Sequence, residues 1–139
     1  MKNTLLIIFV LFIAAQIIQT PRDNPLSDPQ KEIQAPKEVH AVLKKACYDC
    51  HSNQVQYPWY ANVAPVSWMI SRHVDTARQW VNFSVWEDYT QEEKEKKLKE
   101  IFRAAYAAMP LSSYMAMHEK ANITMEERKL IRDWTGVRK

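Results

Sequence analysis

Two cysteines and a histidine form the cluster in this sequence with the clearest chemistry. Cys47, Cys50 and His51 occur in the run Cys47-Tyr48-Asp49-Cys50-His51, which matches the pattern C-x-x-C-H. On a helical turn, positions i, i+3 and i+4 share one face, so both sulfurs and the imidazole lie on the same side. This spacing is typical of c-type haem attachment, in which each thiol adds to one vinyl group and the imidazole ligates the iron. The motif therefore predicts one covalent haem c with His51 as an iron ligand.

Other chemistries of the same residues remain open alternatives. A disulfide or a thiol oxidoreductase would use Cys47 and Cys50 without haem, but a redox C-x-x-C belongs near a βαβ pattern, which this sequence does not show. A zinc site needs four ligands, so His51 would require His73 or His118 at no recognisable spacing. Haem attachment is therefore the favoured interpretation.

The second axial ligand of the iron is a methionine or a histidine. The candidates are Met69, Met109, Met115, Met117, Met125, His40, His73 and His118. Met109 is favoured because it ends a predicted helix and precedes Pro110, which stops the helix and stiffens the loop. Met115 and Met117 in the following loop are the fallback, and His118 is the strongest histidine alternative.

Three further side chains are predicted to bind the haem propionates. Trp59, Trp68 and Arg72 carry indole N–H or guanidinium donors that suit a carboxylate. Core packing is the simpler interpretation of the aromatic segment that contains Trp59. A backbone carbonyl near Pro58 or Pro65 is predicted to accept the Nδ1 proton of the axial histidine and so to fix its tautomer.

The elements that would position these groups are helices. The chain of 139 residues contains one glycine and seven prolines, which excludes most folds built on tight hairpins, phosphate loops or dinucleotide motifs. Helices are predicted from Pro36, from Pro65, from the capping box of Thr90 to Pro110, and from a second capping box at Thr124. Their predicted inward stripes are Val39, Val42, Leu43 and Ala46; Val66, Met69, Ile70, His73, Val74, Ala77 and Val81; Leu98, Ile101, Phe102, Ala105 and Met109; and Leu130, Ile131 and Trp134. Residues 36–139 are therefore predicted to form one small all-α bundle.

The N-terminus has the composition of a targeting segment. Lys2 precedes an apolar run from Leu5 to Ile18 that only Gln16 interrupts. A helix over residues 3–20 would be about 27 Å long, close to the ~30 Å hydrocarbon core. Residues 1–20 are predicted to be an uncleaved signal-anchor in the inner membrane, with the haem domain in the periplasm; a cleaved signal is the alternative. The proline-rich residues 21–35 are predicted to be an extended, solvated tether.

Charge and motif content restrict the function further. Nineteen basic and sixteen acidic residues are mixed along the chain, giving a net charge of +3, and form no basic stripe for nucleic acid. The sequence shows no paired carboxylates, Ser-His-Asp set or phosphate loop for a small-molecule substrate. The predicted function is a non-enzymatic cytochrome that transfers electrons or senses redox state, with a redox protein as partner. A peroxidase-type enzyme with an open iron site, using His73 or His118 in acid–base work, is the alternative.

The domain also resembles the bacterial haem-binding domain family of cytochrome c-like proteins over residues 36–136. The segments that carry the resemblance are Cys47-Tyr48-Asp49-Cys50-His51-Ser52-Asn53, Tyr57-Pro58-Trp59-Tyr60, Pro65-Val66-Ser67-Trp68, Asn82-Phe83-Ser84 with Trp86, Met109-Pro110-Leu111 with Tyr114, His118, and the final helix to Trp134. The resemblance implies an all-α, cytochrome c-like bundle around one haem. It assigns haem-binding roles to Cys47, Cys50 and His51, and it supports Met109 as the distal ligand.

Overall fold

The computed structural model describes residues 2–137, and its regular elements are all helices. Seven α-helices occur in this range: α1 (Lys2–Ala15), α2 (Lys37–Ala46), α3 (Tyr48–His51), α4 (Val66–Trp80), α5 (Gln91–Ala107), α6 (Ser112–Met115) and α7 (Met125–Thr135). Short 3-10 helices lie between them at Pro29–Lys31, Trp59–Asn62, Phe83–Asp88 and Glu119–Ala121. The described residues contain no strand, so the all-α prediction is confirmed.

Helices α5 and α7 begin where the capping boxes at Thr90 and Thr124 predict. Thr90 Oγ1 accepts the Glu93 N–H at 3.3 Å, and the Glu93 carboxylate accepts the Thr90 N–H at 2.8 Å. Thr124 and Glu127 repeat the arrangement at 3.2 and 2.8 Å. Each box satisfies two backbone donors that a helix N-terminus would otherwise leave without a partner. Gly136 follows α7 with φ 67°, a left-handed conformation that glycine adopts without steric cost.

The hydrophobic core lies between α2, α5, α7 and the segment around Phe83. The four predicted inward residues of α2 are all buried, and Leu43 is completely inaccessible. They pack with Ile101 of α5, Ile131 of α7 and the Phe83 ring. The i, i+3, i+4, i+7 pattern of α2 therefore predicts its buried face correctly.

The predicted inward stripe of α4 is wrong in its first half. Val74 and Val81 are buried as predicted, but Val66 and Met69 are exposed, and Ser67 and Ser71 are buried instead. The small serine side chains allow another segment of the backbone to approach closely, and Ser71 Oγ donates a hydrogen bond to the Pro21 carbonyl at 2.7 Å. In this half of α4 the apolar stripe is therefore not the packed face, because the N-terminal segment packs on the serine side of the helix.

The N-terminal helix is shorter than the predicted 3–20 range. Helix α1 ends at Ala15, and the next side chain, Gln16, accepts the Ala64 N–H at 2.9 Å and donates to the Ala64 carbonyl at 3.3 Å. These bonds join the end of α1 to the domain. Within residues 2–137, no helix has both the length and the apolar character needed to cross a membrane.

Residues 21–35 differ from the solvated tether that their prolines predict. Asn24 exchanges two hydrogen bonds with the Val55 backbone at 2.9 and 3.0 Å, and Arg78 donates to the Asp23 carbonyl and to Asn24. Ile33 is buried in the core, and its N–H donates to the Phe83 carbonyl at 2.8 Å. The prolines prevent a long helix, but they leave the residues between them free to pack on the domain.

Candidate functional site

A cavity of about 660 Å³ lies between α2, α3, α4, α5 and α7, and the loop after α5 closes part of it. This volume falls within the ~300–1,000 Å³ typical of ligand and cofactor sites. Most of its lining side chains are apolar, including Leu43, Phe83 and Ile101. The cavity can therefore take a large, flat and mainly apolar molecule.

The C-x-x-C-H motif forms the single turn of α3 and lines the cavity. The N–H groups of Cys50 and His51 donate to the Cys47 carbonyl at 3.1 and 2.9 Å, which fixes the helical turn. Cys47, Cys50 and His51 all line the same cavity. Both cysteines are free thiols, and burial raises the pKa of Cys47 to about 12 and that of Cys50 to about 11. Such thiols are protonated at neutral pH, unlike the thiolate of a thiol oxidoreductase.

The His51 imidazole is held by backbone carbonyls at the end of α4. Its Nδ1 lies 3.1 Å from the Ala77 oxygen and 3.1 Å from the Val81 oxygen, and its ring is 5.9 Å from the Phe83 ring centroid. Carbonyls only accept, so Nδ1 carries the proton and Nε2 keeps its lone pair. Burial lowers the His51 pKa although both carbonyl bonds oppose this, which favours the neutral ligand form. The predicted carbonyls near Pro58 and Pro65 are wrong, because the His51 ring lies against the end of α4. There the Val81 oxygen accepts from Nδ1, and the Ala77 oxygen does so in addition to accepting the Val81 N–H at 2.9 Å.

Met109 lies on the lining of the same cavity, in the chain that leaves α5. Its N–H donates to the Ala104 carbonyl at 2.8 Å, so the backbone leaves the helix in a defined direction. The loop that follows is joined to the C-x-x-C-H turn by Tyr114, whose hydroxyl donates to Asp49 Oδ2 at 2.7 Å. Burial, then the Asp49 carboxylate, raise the Tyr114 pKa well above its ordinary value. The phenol therefore stays protonated and keeps donating.

Of the eight candidate second ligands, Met109 and His73 are the two that line the cavity among the described residues. His118 stacks on Tyr114 with ring centroids 4.2 Å apart, and its Nδ1 lies 3.1 Å from the Tyr114 carbonyl oxygen. His40 lies 3.2 Å from the Tyr48 hydroxyl. The others that do not line it are Met69, Met115, Met117 and Met125. The structure therefore brings the favoured Met109 to the site, leaves His118 outside the lining, and keeps His73 as the histidine candidate on it.

The structure places one of the three predicted propionate partners at the cavity and the other two away from it. Arg72 lines the cavity and is exposed, as a group at its rim should be. Trp59 is 76% exposed and Trp68 donates its indole N–H to the Ile18 carbonyl at 2.8 Å; neither belongs to the described lining. The prediction for the two tryptophans differs from the structure because the Trp68 donor bonds to the N-terminal segment and the Trp59 side chain faces solvent.

The donor set fits a c-type haem. Two thiols, an imidazole with a fixed tautomer and a thioether share one apolar cavity, and these are the groups that c-type haem attachment and ligation use. Sequence reasoning placed Ala77 and Val81 on an inward stripe, but it assigned no hydrogen bond in the site to Asp49, Tyr114, Ala77 or Val81. Backbone carbonyls have no sequence signature, whereas the position of Tyr114 in the Met109-Pro110-Leu111 segment could have indicated a contact with the cavity.

Comparison with known proteins gives one finding. A family model described as "Haem-binding domain" matches residues 8–136, which include every residue that lines the cavity. No curated protein and no solved structure matches the chain.

Proposed function

Because the chain belongs to the haem-binding domain family, we propose that it is a mono-haem c-type cytochrome that transfers electrons. The observation that carries this proposal is the convergence of Cys47, Cys50, His51 and Met109 on one apolar cavity. Covalent attachment is inferred because two thiols lie on one helical turn. One haem is inferred because the sequence contains a single C-x-x-C-H motif.

Each residue has a defined task in this proposal. Cys47 and Cys50 would hold the porphyrin through thioethers, and His51 Nε2 and the Met109 sulfur would ligate the iron. Arg72 at the rim would pair with a propionate. When bound, the haem supplies a one-electron couple, and His/Met ligation raises its reduction potential.

The protein itself supplies orientation and a mainly apolar environment. The carbonyls of Ala77 and Val81 hold the His51 ring in one tautomer, and most of the side chains that would surround the porphyrin are apolar. The Asp49–Tyr114 hydrogen bond joins the loop that follows Met109 to the attachment turn. A ligand set held in this way changes little between two oxidation states, which suits an electron carrier.

Covalent attachment can be tested by expressing the chain with haem-attachment machinery and staining a denaturing gel for haem. The wild-type band should stain, and Cys47→Ala with Cys50→Ala should abolish the stain while leaving the polypeptide. A wild-type band that is colourless and has two titratable thiols would refute the proposal.

The distal ligand can be tested by absorption spectroscopy. The oxidised wild-type protein should show the weak far-red methionine-to-iron band. Met109→Ala should remove it, lower the reduction potential and admit imidazole or cyanide quickly. Met115→Ala and His118→Ala are the matched controls and should leave the spectrum unchanged. Loss of low-spin character in His118→Ala alone would show bis-histidine ligation instead.

The peroxidase alternative depends on His73, which lines the cavity and is exposed. It requires a high-spin, five-coordinate resting iron and peroxide turnover that His73→Ala abolishes. A six-coordinate, low-spin spectrum would exclude it.

We also propose that the N-terminal apolar segment directs export and tethers the haem domain on the periplasmic side of the inner membrane, where a redox protein is the partner. Composition supports this proposal, because Lys2 precedes an apolar run in which the residues from Leu5 to Ile13 are all exposed. Membrane fractions washed in high salt should retain a chain that begins near Met1. A soluble form that begins between residues 16 and 21 would show a cleaved signal.

A further inference from the structure

Two chain segments that meet beside His51 are joined by buried polar groups with no role in the site as described. Asn82 Nδ2 donates to Asn53 Oδ1 at 2.8 Å, and the Asn53 N–H donates to Ser84 Oγ at 3.0 Å. The three side chains are at most 9% exposed. Asn53, Asn82 and Ser84 are called the polar bracket below. It joins the chain after α3 to the chain after α4.

The orientation of the Asn82 amide follows from its second bond. Its Oδ1 accepts the Ser84 N–H at 3.0 Å, and that N–H can only donate, so the amide nitrogen must face Asn53. The Asn82 backbone N–H donates to the Tyr89 hydroxyl at 2.9 Å. Asn82 is therefore held through its backbone and through both ends of its side chain.

The peptide unit between Val81 and Asn82 connects this arrangement to the axial histidine. The Val81 carbonyl and the Asn82 N–H belong to one planar group and point in opposite directions. Tyr89 binds the N–H side of this group, and His51 Nδ1 lies 3.1 Å from its oxygen. Rotation of the peptide would therefore break the bond to Tyr89 and the bond to His51 together.

We propose that the polar bracket and Tyr89 are positioning residues that hold the Val81 carbonyl on His51 Nδ1. They thereby set how strongly the imidazole donates to the iron, an inference that rests on the proposed haem function. A strong hydrogen bond from Nδ1 makes the imidazole more basic and stabilises the ferric state. Loosening the carbonyl should raise the reduction potential.

Two conservative variants test the proposal in the full-length holoprotein. Tyr89→Phe removes the hydroxyl but keeps the ring that packs against Trp86. Asn82→Ser keeps a cap for the Ser84 N–H and removes the bond to Asn53. In each, the His51 Nδ1 proton, observed by NMR in the ferrous state, should exchange about fivefold to tenfold faster than in the wild type, and the potential should rise. Ser84→Ala removes only the second bond of the bracket and serves if Asn82→Ser does not fold.

The matched control is Thr135→Val in α7. Thr135 is buried to the same extent as Asn82, and the substitution removes a hydroxyl that donates to the Arg132 carbonyl at 2.9 Å. It should lower the urea midpoint without changing proton exchange or potential. The proposal is overturned if Tyr89→Phe and Asn82→Ser behave like this control. A wild-type chain without haem would refute the proposed function, while the same exchange comparison on that chain would still decide the role of the bracket.

Discussion

The hydrogen bond between Tyr114 and Asp49 gives a prediction whose size follows from its geometry. The two residues are 65 positions apart, and the donor–acceptor distance of 2.7 Å is that of a charge-assisted bond. Such bonds contribute ~1.5–3 kcal/mol when buried. Both residues are half-buried, so solvent screening should reduce their coupling to about 1–1.5 kcal/mol.

A double-mutant cycle with Tyr114→Phe, Asp49→Ala and the double variant isolates this coupling, measured by urea denaturation at pH 7. Asp49→Ala also removes the acceptor of the Gln56 N–H, but this loss is common to both arms and cancels. Tyr106→Phe is the control, because its ring is exposed and its hydroxyl has no hydrogen bond within residues 2–137. It should change the free energy of unfolding by less than about 0.5 kcal/mol.

The same variants test the role of the loop that follows Met109. Tyr114→Phe should speed the binding of external imidazole to the haem protein, because the loop is then no longer joined to the attachment turn. Two results together would refute this reasoning. The effects of the two single variants on the free energy of unfolding would add within about 0.3 kcal/mol, and the rate of imidazole binding would be unchanged in Tyr114→Phe.

Three further predictions concern stability. Leu43→Ala should lower the free energy of unfolding by about 2–5 kcal/mol, because Leu43 is fully buried and lines the cavity; a urea midpoint equal to that of the wild type would contradict this. Burial opposes ionisation of Glu32, but the Tyr48 hydroxyl and the Lys44 ammonium outweigh burial and lower the Glu32 pKa. The ionised carboxylate therefore stabilises the folded protein fully above about pH 4.5, and this contribution is lost as the pH falls through the lowered pKa. Glu32→Gln should flatten the stability–pH profile below that value, and an unchanged slope would argue against the assignment. Thr124→Ala should cost about 1 kcal/mol in thermal or urea unfolding, whereas Thr124→Ser should stay near the wild type.

The local chemistry of the sequence predicts much of this fold. Thr90 and Thr124 mark helix starts because their side chains and the carboxylates three residues later satisfy nearby backbone donors without help from the rest of the fold. The buried face of α2 is predictable for a similar reason, since a single apolar stripe leaves one way to pack. The cavity residues of the C-x-x-C-H turn follow from spacing within one turn.

The parts that were not predictable depend on contacts between distant segments. In the first half of α4, Ser67 and Ser71 are buried in place of the predicted Val66 and Met69, and Ser71 bonds to the Pro21 carbonyl. The acceptors of the His51 proton are main-chain atoms of Ala77 and Val81, and any residue type could supply them. Trp68 carries a donor suited to a propionate, but the fold uses that donor on Ile18.

The contacts of residues 21–35 also determine the reach of the domain. A free linker of fifteen residues would let its ends separate by roughly 20–23 Å on average, and the domain could sweep the space around its attachment point. Asn24 and Ile33 are instead fixed to the domain, and Gln16 holds the end of α1 against Ala64. In the structure, these contacts give the cavity a defined distance and orientation relative to α1. If the proposed redox partner docks at the opening of the cavity, a chain held in this way would lose little rotational entropy in the encounter.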